Sequence, residues 1–170
     1  MNIFSEFKMT PRILDNHIFP LSHSPRQNKT APVRRTRRSS TMKCILVAED
    51  DPNNRDLVTT ILAFHGYSTV RATNGRHAVQ VAEQKHPDLI MMDLSMPIQN
   101  GLDAARQIKL NPALTHIPIV AMSAYDTSED KVAAFNAGCI AFLPKPLELF
   151  KLKDRLEQIL TTHKENTVHR

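Results

Sequence analysis

From residue 43 onward, the apolar and polar positions follow two alternating patterns. Lys43–Ala48, Leu89–Met92 and Ile117–Met122 are nearly continuous apolar runs, as expected for parallel strands covered on both faces. Ser68–Ala72 is more polar, and Ala141–Pro144 is short and meets two prolines, so these two strands belong at the edges of a sheet. Helical spacing fills the intervals. Pro52 opens a first helix, whose stripe of Leu57, Val58, Ile61 and Leu62 stops at Gly66. A second helix, from about Gly75 to Lys85, buries Ala78, Val79 and Ala82, and a third runs from Gly101 to Lys109 before Asn111-Pro112. Ser128, followed by Glu129 and Asp130, starts a fourth that ends at Gly138. Leu149, Leu152, Leu156, Ile159 and Leu160 place the fifth over about Glu148 to Leu160. Five strand–helix units in about 118 residues predict an α/β domain built on a doubly wound, five-stranded parallel sheet. Right-handed crossovers, with the second and fifth strands at the edges, give the order 2-1-3-4-5.

Polar residues close the apolar runs. The first ends in Glu49 and Asp50, the third in Asp93, the fourth in Ser123 and the fifth in Lys145. In this strand order the chain direction reverses between the first and third strands, which opens a crevice outside their carboxyl ends. Glu49 and Asp50 form one lip and Asp93 the other. Crowded carboxylates repel one another unless a cation compensates, and oxygen-only ligands at a shallow, wet site favour Mg²⁺. With Mg²⁺ neutralising the incoming charge, a carboxylate can act there as the nucleophile toward a phosphoryl group. Lys145 would stabilise that charge from the other side, and Ser123 would donate a hydrogen bond to a phosphoryl oxygen. Taken singly, each residue has a blander reading as a solvated cap or surface charge. Asp51 is expected to be only that, a first-turn acid of the first helix. The case for chemistry is that four strands deliver complementary groups to one edge.

An apolar fraction of 41% is enough for a real core, and the net charge of +5 is unevenly spread. Residues 1–42 hold eight lysines and arginines against two acids, a net of +6, while residues 43–170 hold fourteen against fifteen, a net of −1. The N-terminal segment carries Pro11, Pro20, Pro25 and Pro32, a cluster of Arg34, Arg35, Arg37 and Arg38, and no sustained periodicity. Such a composition predicts a disordered, solvated tail. It is also compatible with contacts to phosphates or anionic lipid, with a transit peptide that Glu6 and Asp15 argue against, and with a basic-directed kinase site at Ser39, Ser40 or Thr41. Met42 is an alternative natural start, because the domain pattern begins at the next residue. Residues 161–170 read as a short polar tail. Cys44 and Cys139 are too few for a disulfide framework and read as small buried hydrophobes in a reducing interior. No stretch has the length of a membrane span and no signal peptide is evident, so a soluble, cytoplasmic protein is expected.

Four segments carry a resemblance: Ile45-Leu46-Val47-Ala48-Glu49-Asp50-Asp51, Met92-Asp93-Leu94-Ser95-Met96-Pro97 with Gly101, Ala121-Met122-Ser123-Ala124, and Leu143-Pro144-Lys145-Pro146. Together they make residues Lys43 to Leu160 resemble the receiver domain of two-component response regulators, with its flavodoxin-like fold, and most of all the stand-alone type. The intervals agree as well, with thirty residues from Asp93 to Ser123 and fifty-two from Asp93 to Lys145. The resemblance implies that Asp93 is the phosphoacceptor for a phosphohistidine. It also implies Mg²⁺ held by Glu49, Asp50, Asp93 and the backbone carbonyl of Ser95, Lys145 paired with the phosphoryl group, and a cis Lys145–Pro146 bond. Ser123 and Phe142 are then the switch pair, whose movement remodels the surface of the fourth helix, fifth strand and fifth helix. Ser95 and Tyr125 flank the site and would tune the lifetime of the phosphoryl group. Glu49 stands where Asp is more frequent, and Phe142 where Tyr is.

The function expected is that of a signalling domain that catalyses only its own phosphoryl transfer and slow dephosphorylation. Its partners would be a histidine kinase or phosphotransfer protein and a downstream protein target. After Leu160 there is no room for a DNA-binding output domain. Three other readings are weaker. A module that has abandoned phosphorylation would be expected to lack some of these groups. An anion-binding protein would work through the arginine tail. A phosphatase would need an acid two residues after Asp93, where Ser95 stands.

Overall fold

The computed structural model describes residues 42–168; the basic segment, its arginine cluster and its serines lie outside them. Five strands and five helices alternate: β1 (Cys44–Ala48), α1 (Pro52–Phe64), β2 (Ser68–Ala72), α2 (Gly75–Lys85), β3 (Leu89–Asp93), α3 (Gly101–Leu110), β4 (Ile119–Ser123), α4 (Ser128–Asn136), β5 (Ala141–Pro144) and α5 (Leu149–Val168). The strands form one parallel sheet in the order β2-β1-β3-β4-β5, the expected doubly wound, flavodoxin-like arrangement. The register pairs Ala48 with Met92, Asp93 with Met122 and Ser123 with Pro144, so the strand ends lie along one edge.

Alternate residues of each strand face opposite layers. Ile45, Val47, Leu89, Met91, Val120 and Met122 pack on Val58 and Leu62 of α1 and on Leu152, Leu156 and Leu160 of α5. Leu46, Ala48, Ile90, Met92, Ile119 and Ala121 pack on α2, α3 and α4, where Ala78, Ala82, Ala104, Ala105 and Ala134 allow close approach. The three central strands are covered on both faces, which explains their unbroken apolar runs.

Four helices begin on polar caps whose side chains accept a backbone N–H: Asp51 from Asn54, Asn74 from His77, Asn100 from Asp103 and Thr127 from Asp130. Asp51 thus precedes the first turn of α1 and caps it.

Several boundaries differ from the sequence expectation. β4 starts at Ile119, two residues late, because Pro118 has no N–H to give a ladder; its carbonyl still accepts from Ile90 N–H at 2.9 Å. β3 takes in Asp93 itself. α5 continues through 161–168, most of the expected polar tail, with Thr161 Oγ1 bonded to the Glu157 carbonyl at 2.8 Å. Leu57 is not part of the buried stripe of α1: it is 48% exposed, one residue off the Val58–Leu62 line. Cys44 is half-buried, whereas Cys139 is buried. α4 is the sparsely anchored helix, with Ala134 buried and Val132 and Phe135 exposed. Among the described residues no helix is long and apolar enough to cross a membrane.

Candidate functional site

Glu49 and Asp50 follow β1, Asp93 closes β3, Ser123 closes β4 and Lys145 follows β5. Strand order sets β1 beside β3, so their ends bring the two acidic lips together. One carboxylate oxygen from each of Glu49, Asp50 and Asp93 lies within 4.8 Å of the others. Glu49 and Asp93 are 2% and 3% exposed, and Asp50 is open to solvent. Lys145 Nζ reaches in from β5 and donates to Glu49 Oε2 at 2.6 Å and Asp93 Oδ2 at 2.7 Å. The other Asp93 oxygen, Oδ1, accepts the Ser95 N–H at 3.0 Å. Two buried carboxylates therefore share one ammonium, with the Asp50 carboxylate close by.

Burial pushes the Glu49 carboxyl above the ordinary range; the Lys145 hydrogen bond opposes this, and the charge of Asp93 adds to it. For Lys145, burial acts to lower the pKa. The hydrogen bonds to Asp93 and Glu49, with the charges behind them, outweigh it and hold the ammonium above the ordinary lysine value. Burial thus raises the Glu49 carboxyl directly, while in Lys145 it is overcome by the paired carboxylates.

The backbone around Asp93 is tightly set. A Cβ on Gly101 would lie 2.0 Å from the Asp93 carbonyl oxygen, so only glycine lets the start of α3 meet the end of β3. Gly101 N–H also bonds the Leu94 carbonyl at 3.1 Å. In the connecting loop Ile98 stands at φ 68°, rare for a β-branched residue, within a turn closed by Gln99 N–H on the Pro97 carbonyl. Its side chain is exposed.

The remaining predicted residues lie around this cluster. Ser123 is buried, and its Oγ accepts the Tyr125 N–H at 3.1 Å, so its hydroxyl is tied to its own loop. Lys145 N–H bonds the Ser123 carbonyl at 2.7 Å, and the Lys145–Pro146 peptide is cis. Phe142 is buried within β5, apart from the carboxylates, with Lys131 Nζ 5.8 Å from its ring centroid. Lys131 also pairs with Asp126 at 2.7 Å. Ser95 and Tyr125 are exposed. Sequence reasoning missed Arg55, whose Nη1 donates to the carbonyl oxygens of Glu49 (2.8 Å) and Asp50 (3.2 Å). An arginine five residues after an acid pair is a signal too common to single out.

Beside the cluster lies a groove of about 430 Å³, with Glu49 and Lys145 among its lining and Leu57, Val58, Leu147 and Leu149 as apolar walls.

Residues 45–157 match the model of the response regulator receiver domain. The chain belongs to that family. As a receiver domain it is 30% identical over 118 residues to the polar-differentiation response regulator DivK of Brucella ovis, an alignment covering 69% of this chain and 96% of DivK. Among solved structures it is similar to the receiver domain of the sensor histidine kinase PA1611 from Pseudomonas aeruginosa, with 29% identity and a TM-score of 0.66 over 71% of this chain and 98% of that one. That structure has a magnesium ion coordinated in its active-site cleft. The chemotaxis response regulator CheY4 of Vibrio cholerae is similar too, with 25% identity and a TM-score of 0.67 over 70% and 99% of the two chains. This receiver domain therefore has the family's fold together with an acidic pocket at the carboxyl edge of its sheet.

Proposed function

We propose that the chain is a single-domain response regulator that accepts a phosphoryl group on Asp93 and signals through the face formed by α4, β5 and α5. The observation that carries the reading is the Asp93 carboxylate, buried at a strand end, flanked by Glu49 and Asp50 and bonded to Lys145 at 2.7 Å. A histidine kinase or phosphotransfer protein supplies the group. An Asp93 oxygen attacks phosphorus, the P–N bond to the donor histidine breaks, and the electron pair leaves with the imidazole.

The donor set fits a hard divalent cation. It offers three carboxylates within 4.8 Å, no sulfur or nitrogen ligand, and one exposed side where water completes the coordination. Glu49, Asp50, Asp93 and the Ser95 carbonyl would hold Mg²⁺, which when bound neutralises charge on the transferring phosphoryl group. Lys145 stabilises the same charge and keeps Asp93 oriented. Ser123 exchanges its Tyr125 N–H contact for a phosphoryl oxygen, and the loop carrying Tyr125 follows, shifting the sparsely anchored α4 beside Phe142. The domain spans residues 43–160, with the basic segment 1–42 as an appendage, and works in the cytoplasm.

The test is incubation with Mg²⁺ and acetyl phosphate. The expected product is an acid-stable, base-labile adduct, absent in Asp93→Asn and when Mg²⁺ is chelated. Equal labelling of Asp93→Asn would overturn the assignment.

A further inference from the structure

A cation holds the two acids of the β1–α1 loop from behind. Arg55 sends Nη1 to two consecutive carbonyl oxygens, Glu49 O at 2.8 Å and Asp50 O at 3.2 Å. These belong to the residues whose carboxylates form one lip of the acidic pocket. The loop is fixed at its start by Glu49 N–H on the Ala72 carbonyl at 3.1 Å, and at its end by Asp51 Oδ1, which caps α1 through Asn54 N–H at 2.8 Å. Between those points Asp50 is exposed, and the Arg55 guanidinium bridges its backbone to that of Glu49.

Two effects of this guanidinium on a divalent cation oppose each other. Its charge repels the ion, while its hydrogen bonds hold the two carboxylates at the spacing the ion needs. Arg55 is partly open to water, which screens the charge. The hydrogen bonds act at contact distance and are not weakened in that way. Both bonds come from one nitrogen, Nη1, whose two N–H groups lie fixed in the guanidinium plane, whereas the N–H groups of an ammonium rotate freely about its stem. Groups that orient metal ligands from behind commonly change affinity about 10- to 100-fold when removed. Orientation therefore outweighs repulsion.

We infer that Arg55 is a positioning residue for divalent-cation binding, setting the placement of the Glu49 and Asp50 carboxylates through their backbone carbonyls. The inference rests on the reading of this lip as a cation site.

The chain has no tryptophan, so Mg²⁺ titrations of the full-length protein are followed by backbone amide chemical shifts. Wild type, Arg55→Met and Arg55→Lys are compared, with metal-free thermal midpoints alongside. Arg55→Met is expected to raise the half-saturating Mg²⁺ concentration about tenfold, although it removes a positive charge, and Arg55→Lys roughly two- to fourfold. Hydrogen exchange speeds up at Glu49 and Asn54, whose N–H groups bond at the two ends of the loop, while the amides of the central strands keep their protection, a pattern that general destabilisation does not produce. Labelling of Arg55→Met by acetyl phosphate falls at low Mg²⁺ and returns to the wild-type rate at saturating Mg²⁺. An unchanged or lower half-saturation overturns the proposal, as does labelling that stays slow at saturation. If Arg55→Met does not fold, Arg55→Lys and Arg55→Gln carry the same test. Absence of Mg²⁺-dependent shifts at Glu49, Asp50 and Asp93 in the wild type would defeat the cation-site reading and this inference together. Wild-type binding with an indifferent Arg55→Met would defeat the inference alone.

Discussion

Replacing Lys145 by Met takes the one side-chain cation that, among the described residues, bonds Glu49 and Asp93 out of a pocket where both acids are buried. Breaking a buried pair from one side typically costs about 3–5 kcal/mol. Here the loss has a ceiling, because Glu49 can escape by taking up a proton. That escape costs 1.36 kcal/mol for each pH unit above the ordinary carboxyl value of 4.5. The ceiling is thus about 4 kcal/mol at pH 7.5, about 2 kcal/mol at pH 6 and under about 1 kcal/mol at pH 5. The sign follows from linkage. Burial has already raised Glu49 in the folded chain, and losing Lys145 raises it further, so the folded state binds the proton more tightly than the unfolded state. Stability of the variant relative to wild type therefore falls as pH rises past the wild-type Glu49 value, which itself lies above 4.5, and recovers on acidification. For a domain near 120 residues each kcal/mol moves the thermal midpoint by roughly 4 °C, so the deficit is at most about 16 °C at pH 7.5 and at most about 8 °C at pH 6. Thermal unfolding by far-ultraviolet circular dichroism, in chelator, measures it directly. Adding Mg²⁺ should close much of the gap, since an ion that binds only the folded state stabilises it. A deficit below about 1 kcal/mol at pH 7.5, or one that does not shrink by pH 5, would refute the reasoning that these carboxylates depend on Lys145.

Gly101→Ala should cost about 2–3 kcal/mol, read as a lower urea midpoint, because its Cβ would meet the Asp93 carbonyl oxygen and only backbone can give way. A midpoint equal to wild type would mean that the α3 start moves freely. Burial pushes the Cys139 thiol up to about 11, so in the native chain a thiol-specific reagent should modify the half-buried Cys44 first and Cys139 only on unfolding; equal rates would contradict the packing beneath α4. Leu156→Ala should cost about 2–5 kcal/mol by leaving a cavity between α5 and the sheet, whereas Phe150→Ser, at a fully exposed position of the same helix, should stay within about 0.5 kcal/mol. Comparable losses at both would put the apolar face of α5 in the wrong place.

Periodicity made the fold legible. The sheet order followed from which runs were apolar on both faces, and Ser68–Ala72 and Ala141–Pro144 do lie at the edges. The strand-end positions of Glu49, Asp93, Ser123 and Lys145 were legible for the same reason: apolar runs stop where the chain leaves the core. Contacts between side chains and distant backbone were not. Arg55 meets the Glu49 and Asp50 carbonyls only because α1 folds back over its own loop, and no spacing rule records that. Leu57 fitted the stripe of α1 by type, but its azimuth puts it on the rim of the groove beside Lys145. The polar look of 161–168 suggested an end to α5, although polar residues extend a helix readily where no glycine or proline breaks it. The strained φ of Ile98 is likewise invisible in its residue type.

The Lys145 ammonium carries three N–H bonds, and two of them are directed to Glu49 and Asp93. Among the described residues that leaves one N–H for a further acceptor. A single oxygen arriving at the pocket can be bonded without disturbing either carboxylate, whereas a second oxygen on the same nitrogen must displace one of them. The pocket thus distinguishes arrivals by how many oxygens they present to a single nitrogen, a stoichiometric limit fixed by one side chain.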